Sequence, residues 1–125
     1  MKLTAWVTIA SLLMYIWVFA RAGKARGIYQ VPAPASDGPT EFLIAQRVQA
    51  NTVEQLVLFL PALWLCAVFM NDRLAALFGA VWVVGRIVYA LGYYQSPAKR
   101  SPGFMIASFA TVALLISGVV GLIIH

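Results

Sequence analysis

Acid is the scarcest ingredient of this sequence. Four Asp and Glu stand against nine Lys and Arg in 125 residues, and charged residues of both signs make up only 10%. Soluble domains carry about 25% charge and roughly 45–50% apolar residues. At 62% apolar, this chain is not composed for water. Cysteine occurs once, as Cys66 inside an apolar run, which excludes an intramolecular disulfide. Histidine also occurs once, as His125, so no Cys/His metal centre is expected within one chain. Strict apolar–polar alternation is missing, and with it the signature of a transmembrane β-barrel. Proline is rare inside the apolar runs: only Pro61 interrupts one, while Pro32, Pro34, Pro39, Pro97 and Pro102 fall between or at the ends of runs.

What is present is four long apolar runs. A helix needs about 20 apolar residues to cross a bilayer. The runs predict helices at about 3–22, 41–70, 74–95 and 102–124, in a single domain over 1–125. The expected fold class is therefore all-α: an integral membrane, multi-pass four-helix bundle. A secretory signal is the alternative for the first run, with Lys2 as its basic start and Ala20-Arg21-Ala22 as a cleavage site, but the run is long for that purpose. Gly27 to Thr40 reads as an irregular loop, with Thr40 as N-cap of the second helix. Asn71 or Asp72 is the expected cap of the third helix, and Ser101-Pro102 the expected start of the fourth. Pro61 should bend the second helix. Ala113, Ser117 and Gly121, spaced by four, read as a small-residue packing ridge.

The basic residues sit at the ends of the runs, so topology and anionic ligands account for the net charge of +5 better than nucleic acid does. Arg21, Lys24, Arg26, Lys99 and Arg100 gather at one end of the bundle, and only Lys2 and Arg73 at the other. The positive-inside rule places the richer end in the cytoplasm and both termini outside. The membrane is the inner one in a bacterium, and otherwise that of the endoplasmic reticulum or another organelle.

The second helix is longer than the hydrocarbon requires, and its opening turns carry the polar groups. Arg47, Asn51 and Glu54 lie at i, i+4 and i+7 and share one face. Arg86, Tyr89 and Tyr93 form a second stripe on the third helix, toward the same end. Arg86 is deep enough to need a partner, and Glu54 is one choice. Gln49, Arg100 and Arg26 complete a cluster with excess positive charge. Such a cluster suits a small zwitterionic anion. Glutathione has two carboxylates, an ammonium, two amides and a thiol, and a nearby arginine would favour its thiolate. A hydrophobic co-substrate would arrive from the bilayer. The bland readings are an interfacial helix start, an aromatic belt and a positive-inside anchor.

Three segments carry a family resemblance: Gln46-Arg47-Val48-Gln49-Ala50-Asn51-Thr52-Val53-Glu54, Gly85-Arg86-Ile87-Val88-Tyr89-Ala90-Leu91-Gly92-Tyr93-Tyr94, and Lys99-Arg100. They resemble the MAPEG family (membrane-associated proteins in eicosanoid and glutathione metabolism), and within it the microsomal glutathione transferases. The resemblance runs from about Arg26 to Arg100. It implies a homotrimer with glutathione held between adjacent subunits near the cytoplasmic face. It implies glutathione contacts at Arg26, Arg47, Gln49, Asn51, Glu54, Tyr89 and Tyr93, pairing or cavity lining by Arg86, and thiolate stabilisation by Arg100. Gln55 departs from the tyrosine that several relatives carry after the glutamate. The expected activity is glutathione transfer to lipophilic electrophiles, with reduction of lipid hydroperoxides as an accompanying peroxidase activity and detoxification as its setting; no metal is involved. The competing readings are a non-catalytic lipid-binding member of the family and a small four-helix proton-coupled multidrug exporter. Arginines beside Glu54 argue against the exporter, which would bind lipophilic cations.

Overall fold

The computed structural model describes all residues from Met1 to His125. Four helices follow one another: α1 (Lys2–Ile28), α2 (Thr40–Phe69), α3 (Asp72–Gln95) and α4 (Ser101–Ile124), with a 3-10 turn at Pro97–Arg100 leading into α4. Each is long and apolar enough to cross a membrane. With the polar backbone groups of lipid-exposed segments satisfied inside helices, this is the expected solution for such a sequence. α3 packs against the other three helices, α1 lies on α2 and α3, and α2 also meets α4. At the centre Phe59 of α2 stacks on Trp82 of α3, 3.8 Å between centroids and 5° from parallel.

The helix ends correct several expectations. α1 continues through Arg21, Lys24 and Arg26, six residues beyond the expected 22. Arg and Lys are good helix formers, and nothing before Pro32 forbids the extra turns. The helix stops in a Schellman geometry: Gln30 takes φ 55°, and the Val31 N–H donates to the Arg26 carbonyl at 3.0 Å. Thr40 is not the cap of α2 but its first residue; Pro39 holds the cap position, and no side chain caps this end. Ser101 is likewise already helical at φ −62°, ψ −45°, because the 3-10 turn before it runs straight into α4. α2 continues unbroken past Pro61, which faces outward. The packing ridge of α4 is Gly103, Ala107, Ala110, Leu114, Gly118 and Gly121; Ala113 and Ser117 lie beside it.

Asn71 caps α3 as expected, accepting from the Leu74 N–H at 2.7 Å. Asp72 has a different role. Its carboxylate accepts from the Leu3 and Thr4 N–H groups and from the Thr4 hydroxyl, at 3.1, 2.9 and 2.6 Å. It thereby caps α1 from another helix and adds a negative charge to the positive end of the α1 dipole. The Trp64 indole N–H donates to the Thr8 hydroxyl at 3.1 Å one turn further in.

Two glycines fix the α3–α4 crossing. A Cβ on Gly103 would overlap the Tyr89 backbone nitrogen and approach the Gly85 carbonyl oxygen to 2.6 Å, and one on Gly85 would lie 2.8 Å from the Ala107 nitrogen. The backbones therefore meet without side chains between them. This contact sets the first turns of α4 directly against Tyr89.

Candidate functional site

The polar end of that crossing holds a cavity of about 480 Å³. Arg47 and Asn51 line it from α2, Tyr89 and Tyr93 from α3, Arg100 from the 3-10 turn, and Ser101, Phe104 and Met105 from α4. Of the nine residues singled out in the sequence, five line this one cavity: Arg47, Asn51, Tyr89, Tyr93 and Arg100. The helical registers explain the convergence. Arg47 and Asn51 are one turn apart on α2, and Tyr89 and Tyr93 one turn apart on α3. The two tyrosine rings meet edge to face, 5.6 Å between centroids, and the Arg100 guanidinium stands 5.5 Å from the Tyr93 ring.

Arg86 lies behind this wall, 1% exposed. One terminal nitrogen donates to Asn51 Oδ1 at 2.8 Å and to Thr52 Oγ1 at 2.9 Å, and the guanidinium lies 4.1 Å from the Tyr89 ring centroid. Its other two nitrogens have no hydrogen-bond partner. No carboxylate pairs with it. The Arg86–Glu54 pair, one choice offered by the sequence, is not formed: Glu54 faces outward and has Arg47 at 3.8 Å, both side chains more than half exposed. A buried guanidinium with no anion beside it keeps its positive charge uncompensated under the cavity wall.

The remaining two residues sit elsewhere. Gln49 is two positions from Arg47 and so lies on the far side of α2, where its amide donates to the Tyr15 hydroxyl at 2.8 Å. Arg26 staples the loop after α1: one nitrogen donates to the Ala35 carbonyl at 2.7 Å and the Val31 carbonyl at 3.3 Å. Its guanidinium lies 5.4 Å from the Phe42 ring. Neither reaches the cavity of its own chain.

Four cavity or support residues escaped the sequence reading: Thr52, Ser101, Phe104 and Met105. The last three lie at i, i+3 and i+4 on the opening turns of α4, directly after Arg100. That spacing on a helix adjoining a basic turn was the available signal. Phe104 also leans on Tyr89, 6.2 Å between centroids.

The chemistry of the cavity is mixed. Two guanidiniums, an amide, two phenols and a hydroxyl supply donors, while Phe104 and Met105 supply an apolar side toward the membrane-spanning part of α4. No group of His, Cys, Asp and Glu is placed to hold a metal ion. The arrangement can bind a small polyanionic molecule and present one end of it to an apolar compound.

Comparison with known proteins agrees with the membrane architecture. The chain is 40% identical over 119 residues to an uncharacterized protein of Synechocystis, covering 95% of this chain and 87% of that one. It is 33% identical over 120 residues to human microsomal glutathione S-transferase 2, covering 96% and 82%. It is 32% identical over 123 residues to leukotriene C4 synthase of Bos taurus, covering 98% and 82%. The MAPEG family model matches residues 4–120, nearly the whole chain and a longer span than the three motifs marked out. The chain is an integral membrane protein that belongs to the MAPEG family.

Proposed function

We propose that the protein is a membrane glutathione transferase that binds glutathione in the cavity between α2, α3 and α4 and presents it as the thiolate to lipophilic electrophiles. The observation that carries this reading is the convergence of Arg47, Asn51, Tyr89, Tyr93 and Arg100 on one cavity with an apolar side. Relatives named for glutathione transfer and leukotriene C4 synthesis support it.

In this reading Arg47 binds a glutathione carboxylate, and Glu54 beside it takes the ammonium. Asn51 donates its amide to a peptide carbonyl or carboxylate, and the tyrosine hydroxyls bond the backbone of the tripeptide. Arg100 stands at the rim with one nitrogen on the Pro97 carbonyl at 3.0 Å, leaving other N–H groups for the sulfur. A cation there lowers the thiol pKa, and the proton leaves to water. The thiolate attacks an electrophilic carbon; a C–S bond forms, and the leaving group departs with its electron pair. With a lipid hydroperoxide the same thiolate cleaves the O–O bond, and a second glutathione completes the disulfide, giving lipid alcohol and water. Arg26 and Gln49 serve the neighbouring copy in a homotrimer, where the site lies between subunits at the cytoplasmic face.

The test is turnover by purified protein with a chloronitrobenzene and with a lipid hydroperoxide, wild type beside Arg100→Ala and Arg47→Ala. The reading expects glutathione-dependent product from wild type and at least a tenfold loss in each variant. Ligand binding by a folded protein with no turnover on either substrate would favour the non-catalytic, lipid-binding alternative.

A further inference from the structure

A second basic cavity, of about 510 Å³, opens at the same end of the bundle, between the last turns of α1, the first turns of α2 and Tyr94 of α3. Its cations are Arg21 and Lys24, and Glu41 is its acid. The structure's one ion pair is Arg47–Glu54, so none of these three charges is neutralised by a partner. The Arg21 guanidinium carbon stands over the Tyr94 ring, 3.7 Å from its centroid. The Tyr94 hydroxyl is buried and has no hydrogen-bond partner. None of these residues belongs to the cavity of the proposed glutathione site.

Along α1, Leu13, Trp17, Arg21 and Lys24 follow at steps of four, four and three and form one stripe. Along α3, Val83, Ile87, Leu91 and Tyr94 form the facing one. The lower part of this seam is a groove of about 470 Å³ lined only by apolar residues, Leu13, Trp17, Ile87 and Leu91 among them. Trp17 of the groove and Tyr94 of the basic cavity meet edge to face at 6.0 Å, so the two hollows are neighbours along the seam. From Ala10 to Arg21 α1 rises about 16 Å, roughly half of a ~30 Å hydrocarbon core. The seam thus has the depth of one leaflet and ends in uncompensated positive charge where headgroups lie.

We propose that this α1–α3 seam is a binding site for an anionic phospholipid, with an acyl chain in the apolar groove and the phosphate between Arg21 and Lys24. Basic pockets between membrane helices recognise anionic headgroups by the same chemistry. A simple positive-inside anchor needs the two cations but no groove aligned beneath them; the alignment of the two along one seam is what selects a lipid. Glu41 leaves the cavity a net single positive charge, which matches a phosphodiester and disfavours a carboxylate-rich ligand.

The test is native mass spectrometry of the detergent-purified protein with added phosphatidylglycerol or phosphatidylcholine, on wild type, Arg21→Gln/Lys24→Gln and Leu91→Trp. Leu91→Trp fills the groove and leaves both cations in place. The proposal expects saturable phosphatidylglycerol retention, one per chain, at least tenfold stronger than phosphatidylcholine, and lost in both variants. Equal retention of the two lipids would overturn it, as would loss in the charge variant alone, which describes a headgroup anchor. Displacement of the lipid by inorganic phosphate at millimolar concentration would also overturn it by showing a free-anion site. So would a change of oligomeric state in Leu91→Trp, which would show that a second copy covers the seam. Glutathione titration of the same samples keeps this result separate from the transferase reading.

Discussion

Arg86 donates a 2.8 Å hydrogen bond to Asn51 Oδ1. Arginine has no acceptor, so this bond fixes which way the Asn51 amide points: its oxygen turns to Arg86 and its NH₂ is left for the cavity that Asn51 lines. A buried cation that makes no ligand contact of its own can thus set the polarity of a binding wall.

Replacing that cation separates stability from function. Thr52 Oγ1 still donates to the Val48 carbonyl at 2.7 Å, and Asn51 Oδ1 can turn to water in the cavity, so Arg86→Met leaves neither side chain without a hydrogen bond. Desolvating a charge with no counter-ion is costly, and an apolar side chain of similar length removes that cost. Arg86→Met is expected to keep or raise the melting temperature in detergent while weakening glutathione binding about tenfold, ~1.4 kcal/mol. Calorimetry on one sample reads both.

The α3–α4 contact predicts the opposite pattern. Gly103→Ala puts a methyl group into the Tyr89 backbone, and no flexible side chain is there to yield. Overpacking of this kind costs ~1–3 kcal/mol. The variant should melt lower and lose turnover together, because separating the helices also moves Phe104 and Ser101 away from Tyr89. Ala107→Gly at the same crossing removes a methyl without a clash and should spare turnover.

Asp72 provides a control at the far end of the bundle. Asp72→Ala removes three hydrogen bonds from the start of α1 and should lower the melting temperature. Glutathione affinity should not change, since every residue assigned to the ligand lies at the other end. Asp72→Asn, which keeps one acceptor oxygen, should fall between.

Arg47 and Glu54 form an exposed pair at 3.8 Å, and such a pair contributes at most about 1 kcal/mol to folding and often nothing measurable. Glu54→Gln should therefore leave stability unchanged. Its effect should appear in selectivity. Wild type should prefer glutathione to its analogue lacking the amino group, and Glu54→Gln should lose that preference, as competition binding would measure.

The sequence showed the four spans because nothing else explains runs of that length, and it showed one cavity wall because Arg47, Asn51, Tyr89 and Tyr93 recur at helical spacing. It could not show what needs two helices at once. Asp72 capping α1 is a contact between residues 68 positions apart, and local turn chemistry offered it only a role at α3. Charge alone offered Glu54 as one partner for Arg86, but Glu54 lies outward and the amide and hydroxyl of Asn51 and Thr52 lie inward. Gln49 lies two residues from Arg47 and so on the opposite face of α2, bonded to Tyr15, where its proposed ligand role is toward the neighbouring copy. Arg26 was read as part of a ligand cluster; within its own chain it holds the loop carbonyls of Val31 and Ala35, and its proposed ligand role belongs to the neighbouring copy.

The most direct measurement is a glutathione titration of purified protein followed by thiolate ultraviolet absorbance, with Arg100→Ala alongside. Wild type should show saturable binding with a thiolate signal, and Arg100→Ala binding without that signal. An absence of saturable binding in folded wild-type protein would contradict it.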